Sequence, residues 1–386
     1  MPSAAPQRAV GLDIGTRDVK LVTLSTSVGG VAVESVREIR IPAGIILDGA
    51  VEDRKEFAKT VRLALAEEGV LSLNAAISIP THSATLRWVS LPQLGEEEHR
   101  VAAAFKVKKH LPYPIDDAYL STSPVQVMNE DGIGDSLVIS VPRHIISTRA
   151  LAVERAGLRP VAAELEAQAL LRIVERNLGH RNSLLRDASM TIVDIGGTNT
   201  EMYVVQNQKL QFIRSVRFGT ARIAHVVADE MGVSEALGHK MLANPLGKLD
   251  LDGMLSLPYE GQTVKVKIRD QVDMLVKEIS RLMRYFRSLH AERSYAGILD
   301  HMMLCGGLAN LAGLPEYLAA QLRVRIEPIE PFAGMTLNID NRAFELASHN
   351  QNSFAIAVGL ALSQIVTNEQ EEIADVNHDF AWARSA

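Results

Sequence analysis

Two stretches of the chain share one pattern of apolar and polar positions. Residues 10–24 and 191–205 each begin with an apolar run, pass through Asp-Ile-Gly and polar residues, and end in a second, alternating run. Two such runs separated by turn residues predict a β-hairpin. Aligned without gaps, Asp13 falls on Asp194 and Gly15 on Gly196. A spacing of about half the chain predicts two homologous lobes rather than a short-period solenoid.

The turn residues of both hairpins suit an anion. Glycine permits a positive φ and close backbone approach, so the amides of the turn can point together at a phosphate. The neighbouring polar side chains could add donors, and Asp13 and Asp194 could hold a hydrated Mg²⁺. For one copy alone, a tight turn with an Asx hydrogen bond is the simpler interpretation. The duplication favours two hairpins that clamp a di- or triphosphate. The donor side chains are Thr16, Thr198, Asn199 and Thr200.

A third glycine-containing segment lies in the second half of the chain. The apolar run 301–305 ends in Gly306-Gly307, and a helix is predicted over 315–322. A Gly-Gly pair after a strand and beside a helix N-terminus allows close backbone approach to a ligand. We therefore expect this segment to join the clamp.

Composition limits the class of protein. The 386 residues suffice for two or three domains, and 47% apolar with 22% charged residues is ordinary for a soluble globular chain. A net charge of −6 argues against a nucleic-acid partner. The single cysteine, Cys305, excludes an intramolecular disulfide framework. No apolar stretch reaches about 18 residues and the N-terminus lacks a signal-peptide pattern, so we expect a cytoplasmic protein.

Several common motifs are missing from the sequence. It contains no Gly-x4-Gly-Lys-Ser/Thr loop, no Gly-x-Ser-x-Gly elbow and no His-Glu-x-x-His. The basic run from Lys106 to His110 follows an acidic start at 96–98, which indicates a solvated helix with charges that complement its dipole.

The order of the three motifs carries a family resemblance. Asp13-Ile-Gly-Thr, Asp194-Ile-Gly-Gly-Thr and Gly306-Gly307 resemble the phosphate-1, phosphate-2 and adenosine motifs of the actin/Hsp70/sugar-kinase ATPase superfamily. Within it, the segment 106–119 with its Pro-Tyr-Pro, and the segments 163–171 and 353–362, resemble the FtsA-related PilM family of type IV pilus assembly. The likeness extends over about residues 8–366.

The resemblance implies an α/β, actin-like, two-lobed ATPase fold with an inserted α+β subdomain, 1C, that is SHS2-like. The implied layout is subdomain 1A over 8–82, 1C over 83–158, a return to 1A over 159–188, 2A over 189–229, 2B over 230–298, a return to 2A over 299–352, a closing helix over 353–366 and an acidic, disordered tail over 367–386. Segment 163–171 is expected to be a connecting helix, and residues 237–257 to be irregular.

The resemblance also implies ATP with Mg²⁺, the metal bound to Asp13 and Asp194 through water. Catalytic residues stay unassigned, with Glu164 and Glu166 as candidates. Two departures, Thr16-Arg17-Asp18 and Gly306-Gly307-Leu308, leave hydrolysis open. The implied nucleotide-binding residues are Asp13, Gly15, Thr16, Lys20, Asp194, Gly196, Gly197, Thr198, Asn199, Gly306 and Gly307.

The implied function is a cytoplasmic scaffold, peripheral to the inner membrane, that binds the N-terminal segment of a PilN-type membrane protein in a groove between 1A and 1C. Other pilus assembly proteins are expected partners, the membrane is reached only through partners, and self-association stays open. The alternatives are an FtsA-like filament-forming cell-division protein, a small-molecule kinase of the same superfamily, and a type II secretion scaffold without ATP.

Overall fold

Two β-sheets organise the chain, and each contains one of the predicted hairpins. The computed structural model describes residues 7–27, 30–123, 132–181, 190–206, 209–289 and 299–365. The predicted tail 367–386 lies outside the described residues. No helix within the described ranges is both long enough and apolar enough to cross a bilayer.

The first sheet is built on the first hairpin. In spatial order it contains β10 (Arg159–Leu165), β6 (Asn74–Ile79), β1 (Arg8–Ile14), β2 (Asp18–Ser27), β3 (Gly30–Arg40) and β19 (Thr336–Leu337). β1 and β2 are antiparallel, whereas β6 runs parallel to both β1 and β10. A small hairpin, β4 (Ile46–Leu47) with β5 (Ala50–Val51), precedes helix α1 (Arg54–Glu67). The Asp53 side chain caps that helix by accepting from the amides of Lys55 and Glu56.

The second sheet is built on the second hairpin. It contains β13 (Lys209–Val216), β12 (Thr200–Gln206), β11 (Met190–Ile195), β17 (His301–Cys305) and β18 (Arg325–Pro328). Helices α5 (Thr220–Met231), α7 (Arg269–Leu289) and α8 (Leu314–Leu322) bury their apolar faces in its core. The prediction of irregular structure over 237–257 is wrong, because α6 (Glu235–Leu242), β14 (Lys248–Leu249) and β15 (Met254–Tyr259) cover much of it. β15 pairs with β16 (Gln262–Lys267), and Gly247, Asp250, Asp252 and Gly253 lie in the connections between these elements, whereas Gly238 lies within α6.

A smaller sheet is inserted in the first half of the chain. Its strands are β7 (Thr85–Pro92), β9 (Ile133–Pro142) and β8 (Ala118–Thr122), covered by α2 (Glu96–Val107) with a core around Leu91, Ala103 and Val138. α2 ends at Val107, a 3₁₀ turn over Lys108–His110 follows it, and Leu111 is extended, as expected for a residue before proline. Residues 124–131, between β8 and β9, lie outside the described residues. Helix α3 (Arg143–Ala156), expected within 83–158, packs on α1 and its buried residues join the core of the first sheet.

Two helices pack against each other beside the first sheet. α4 (Glu166–Arg181) begins three residues later than the predicted connecting segment, because residues 163–165 end strand β10. α10 (Ala355–Leu362) is shorter than the predicted 353–366, and all eight of its residues are buried. A Cβ on Gly11 would overlap the carbonyl oxygen of Ala357, and one on Gly359 would overlap that of Ala169. Glycine at these two positions therefore lets α10 lie in backbone contact with both β1 and α4.

The chain returns to the first sheet before α10. β19 pairs in parallel with β3, and α9 (Asn341–His349) packs on β3 with Ala343 and Ala347 in the core of the first sheet. Residues 336–349 therefore lie with the first lobe, although the boundary 299–352 places them in the second.

Candidate functional site

The two hairpins close with the same turn. The amide of Gly15 donates to the carbonyl of Asp18 at 3.1 Å, and the amide of Gly196 donates to the carbonyl of Asn199 at 2.9 Å. Neither glycine has a positive φ, contrary to the sequence-based expectation. A Cβ would instead crowd the carbonyl oxygen three residues ahead, at 2.9 Å for Gly15 and 3.1 Å for Gly196. These positions require glycine for space.

The turns face each other across a cleft of about 900 Å³. A Cβ on Gly197 would lie 3.2 Å from Oγ1 of Thr16, which shows how closely the two turns approach. The cleft is lined by all the predicted nucleotide-binding residues and by Glu166, whereas Glu164 is not among its lining residues. Thr200 turns away, because its hydroxyl donates to the carbonyl of Phe218 at 2.8 Å.

The Gly-Gly pair closes one side of this cleft. Gly306 has a φ of 89°, and a Cβ there would overlap Oδ1 of Asp194 and the carbonyl of Ile195. Gly307 has no such constraint, since its nearest neighbour would be Cγ2 of Thr220 at 3.6 Å. The amide of Gly306 donates to the carbonyl of Asn352 at 3.1 Å. The pair thus connects the second hairpin to the segment that enters α10.

Carboxylates dominate the floor of the cleft. Asp13 lies opposite Lys20 in the first hairpin, and Asp194 lies opposite Glu201 in the second. Burial, Glu201 and Asp13 together raise the pKa of Asp194 to about 7. Burial also raises the pKa of Asp13, and Lys20 opposes that shift. A cation in this cleft would relieve the repulsion between the carboxylates.

Lys20 is the cation nearest to these aspartates. Burial alone would lower its pKa, but Glu38, Asp18 and Asp13 outweigh burial and raise it. Asp18, one of the departures from the family pattern, is paired with Arg40 at 3.1 Å. Asp18 thus interacts with both Arg40 and Lys20, and Lys20 is held charged among the carboxylates of the first lobe.

Arg149 is a second cation of the site, which the sequence analysis missed. Its side chain is 1% exposed and donates to the carbonyls of Gly49 at 2.6 Å and Ser78 at 2.7 Å. Burial lowers its pKa to about 10, against the opposing influence of Glu166 and Asp13. The helical spacing gives a signal that could have found it, because Arg149 lies on the same buried face of α3 as Ile145, Ala152, Val153 and Ala156. Glu201 was also missed, although it occupies the position that Lys20 has in the aligned hairpin.

The two catalytic candidates separate in the structure. Glu166, the first residue of α4, lines the cleft and accepts from the amide of Thr81 at 3.2 Å. Burial, together with Glu201 and Asp13, raises its pKa well above the usual value. Glu164 lies on β10 and pairs with Arg172 at 3.0 Å, and Arg172 also donates to the carbonyl of Gly359 at 2.6 Å. Glu164 thus contributes to fastening α4 against α10.

The residues present fit a nucleotide with a hydrated cation. A Cβ on Gly197 would reduce the space between the turns, and Asn352 is a further lining residue of the cleft. Among the described residues, no group of three or more histidine, cysteine or acidic side chains could bind a metal by itself. Asp13 and Asp194 would therefore have to bind Mg²⁺ together with water and phosphate oxygens.

A separate apolar groove lies between the first sheet and the inserted sheet. It has a volume of about 500 Å³ and runs between two edge strands, β10 and β8. Pro160 interrupts the regular pairing of β10 at the bulge that follows it. The lining residues are Ile77, Tyr119, Ile146, Ala150, Pro160, Ala162 and Ala163.

A family model described as type IV pilus assembly protein PilM matches residues 11–365. The chain belongs to the PilM family of type IV pilus assembly proteins. The sequence-based recognition is thereby confirmed.

Solved structures agree on the fold of this PilM-family chain. A chain of a PilM–PilN type IV pilus biogenesis complex superimposes with a TM-score of 0.75 at 21% identity, covering 93% of this chain and 99% of that one. The ethanolamine utilization protein EutJ from Carboxydothermus hydrogenoformans gives 0.52 at 16% identity, covering 93% and 90%. MreB5 of Spiroplasma citri bound to AMPPNP gives 0.50 at 11% identity, covering 96% and 99%. The fold is the actin-like fold predicted from the three motifs.

Proposed function

We propose that this PilM-family protein binds ATP with Mg²⁺ between its two lobes. The observation that carries the proposal is the pair of identical turns facing each other across the cleft, with Lys20 behind the first and carboxylates behind both. Amides and Lys20 would hold phosphate oxygens, and Asp13 and Asp194 would hold the hydrated cation. The MreB5 structure, which has the same fold, was solved with bound AMPPNP, and this supports the proposal.

Calorimetric titration with Mg·ATP tests this proposal. The variant Gly197→Val would fill the space between Gly197 and Thr16, so we expect its ATP affinity to fall at least about tenfold while the fold survives. Gly95→Val is the matched control, because a Cβ there would meet only a carboxylate oxygen of Glu98 at 3.9 Å. Absence of saturable binding by the wild type would refute the nucleotide claim.

Hydrolysis is proposed to be weak. Glu166 is the remaining catalytic candidate, because Glu164 is paired with Arg172 outside the cleft. The raised pKa of Glu166 favours the protonated carboxyl group, and a protonated carboxyl group cannot accept a proton from water. Phosphate release by the wild type and by Glu166→Gln measures its part: fast turnover that Glu166→Gln removes would favour the kinase-type alternative.

We further propose that the apolar groove binds the N-terminal segment of a PilN-type membrane protein. The relative in the PilM–PilN complex gives the partner class, and the groove supplies the geometry. A groove between two sheet edges suits an extended peptide, which can pair with a free edge and place alternate side chains in apolar pockets. The protein would then be cytoplasmic and would reach the inner membrane through this partner and other pilus assembly proteins.

The groove proposal has a matched pair of variants on α3. Ala150→Trp should fill the groove and abolish binding of a synthetic peptide with the partner's N-terminal sequence. Leu151→Trp is one residue away and 42% exposed, so it should leave peptide binding intact. This assignment is contradicted if both variants lose peptide binding equally, or if neither variant loses it.

Binding to lipid vesicles should require the partner protein in the vesicle, whereas filaments on bare vesicles would favour the FtsA-like alternative.

A further inference from the structure

An apolar pair lies uncovered on helix α2, which covers the inserted sheet. Val101 is 59% exposed and Phe105 is 80% exposed. The inner face of α2 is set by His99, Ala103 and Val107, which are buried at every fourth position. Val101 and Phe105 lie two positions from these residues, about 200° around the helix, and therefore point away from the protein. Two apolar side chains one turn apart on an outer helix face form a candidate contact surface.

Charges of opposite sign border this apolar pair. Glu98 lies one turn before Val101 and Lys108 lies one turn after Phe105, both exposed on the outer face of the helix. Within the ranges that the structure describes, neither of these two charged side chains forms an ion pair. Charges of these signs suit the helix dipole, but the dipole does not account for the apolar pair between them. The outer face of α2 is therefore acidic, apolar and basic in order along the helix.

This outer face is symmetric about Ala103. Val101 and Phe105 lie two residues on either side of it, and Glu98 and Lys108 lie five residues on either side of it. A second α2 that runs antiparallel, related by a two-fold axis beside Ala103, would place Val101 opposite Phe105. The same axis would place Glu98 opposite Lys108, and it makes each of these contacts twice. A parallel α2 would instead bring like charges together.

We propose that the outer face of α2 is a self-association surface, covered by the same face of a second copy of this chain in the antiparallel direction. The apolar pairs form the centre of the contact, and the opposite charges form its rim. A helix of 12 residues is about 18 Å long, so the contact is smaller than the about 1,200 Å² of a stable complex and forms only when the protein is concentrated. Neither the cleft nor the apolar groove is lined by a residue of α2, so the dimer is independent of both functional proposals.

Sedimentation equilibrium at low salt tests for this dimer. The wild type should dimerise with a Kd of about 10–100 μM. Phe105→Ala should raise that Kd about tenfold, because burial of the aromatic ring drives the contact. Leu63→Ala, at a residue of α1 that is 67% exposed, is the matched control and should leave the Kd unchanged. A wild type that stays monomeric up to about 1 mM, or a dimer that Phe105→Ala leaves intact, would overturn the inference.

Charge reversal tests the antiparallel arrangement. Glu98→Lys and Lys108→Glu should each raise the Kd about tenfold, because like charges then face each other at both ends of the contact. An equimolar mixture of these two variants should form a heterodimer with about the wild-type Kd, since opposite charges face each other again. Lys59→Glu reverses an exposed lysine of α1 and should have no effect. The inference is overturned if the mixture associates no better than either variant alone. It is also overturned if the wild type binds anionic vesicles without forming dimers and Phe105→Ala removes that binding, since the face would then contact lipid.

Discussion

The two hairpins have the same turn and carry opposite charges behind it. Asp13 and Asp194 end β1 and β11 at equivalent positions, and each faces the residue seven positions later on the next strand. That residue is Lys20 in the first hairpin and Glu201 in the second. Facing residues on adjacent strands lie close enough to interact strongly. The first hairpin is therefore suited to an anion and the second to a cation.

The supports of the two turns also differ. The first is held by its own sheet, since the amide of Ile41 donates to the carbonyl of Arg17 at 2.7 Å. The second rests on a helix, because the first amides of α5, those of Thr220 and Ala221, donate to the carbonyls of Gly196 and Gly197 at 3.0 and 2.9 Å. The helix approaches so closely that a Cβ on Gly219 would overlap the backbone of Gly197. A duplicated motif has thus kept its backbone while its surroundings diverged.

The largest expected effect concerns Gly306, which packs against the second hairpin. Gly306→Ala should lower the free energy of unfolding by more than about 2 kcal/mol, because alanine disfavours a φ of 89° and its Cβ would overlap Oδ1 of Asp194. Gly307→Ala, with 3.6 Å of room, should change it by less than about 1 kcal/mol. Urea unfolding measures both, and equal losses would show that the close packing on Asp194 is unimportant.

The next prediction removes the cation of the first hairpin. Lys20→Met should weaken ATP binding about 10- to 100-fold with or without Mg²⁺, since a hydrogen bond to a charged group contributes about 1.5–3 kcal/mol. Lys59→Met changes an exposed lysine of α1 and should leave ATP affinity unchanged. Calorimetry is the measurement. Unchanged affinity in Lys20→Met would place the anion elsewhere in the cleft.

The corresponding change in the second hairpin should have a smaller and different effect. Glu201→Gln removes a carboxylate near Asp194. We expect the increase in ATP affinity on adding Mg²⁺ to be about tenfold smaller in this variant, and the ATP affinity without Mg²⁺ to be unchanged. Glu97→Gln, an exposed glutamate of α2, is the control. If both hairpin variants lose affinity in the same way, the charge difference between the hairpins has no functional meaning.

The sequence was sufficient for the parts of the molecule that repeat or have a strong local pattern. The two hairpins and the strand that ends in the Gly-Gly pair follow directly from apolar periodicity and turn residues. The repeat also predicted the cleft, because two homologous turns can bind one ligand together only if they face each other. Glu201 could have been found by the same alignment.

Other features depend on contacts that no local pattern records. Arg149 reaches the cleft through the packing of α3 on the first sheet, and Asn352 through Asn310, distant in the chain. Glu164 was expected on a helix because the resemblance begins the connecting helix at residue 163, but residues 163–165 pair with β6 as the end of β10. Return of residues 336–349 to the first sheet likewise rests on a two-residue strand, too short to be recognised.

The smallest predicted effect follows from the carboxylates that distinguish the second hairpin. The pKa of Asp194 rises from 3.8 to about 7 on folding, so between these values the folded protein binds more protons than the unfolded chain. This group therefore destabilises the nucleotide-free protein as pH increases from 4 to 7. Asp194→Asn should reduce the fall in melting temperature between pH 5 and pH 8 by about 3 °C or more, whereas Asp116→Asn, at an exposed aspartate, should not. If the wild type and both variants showed the same change of melting temperature between pH 5 and pH 8, Asp194 would ionise freely beside Glu201.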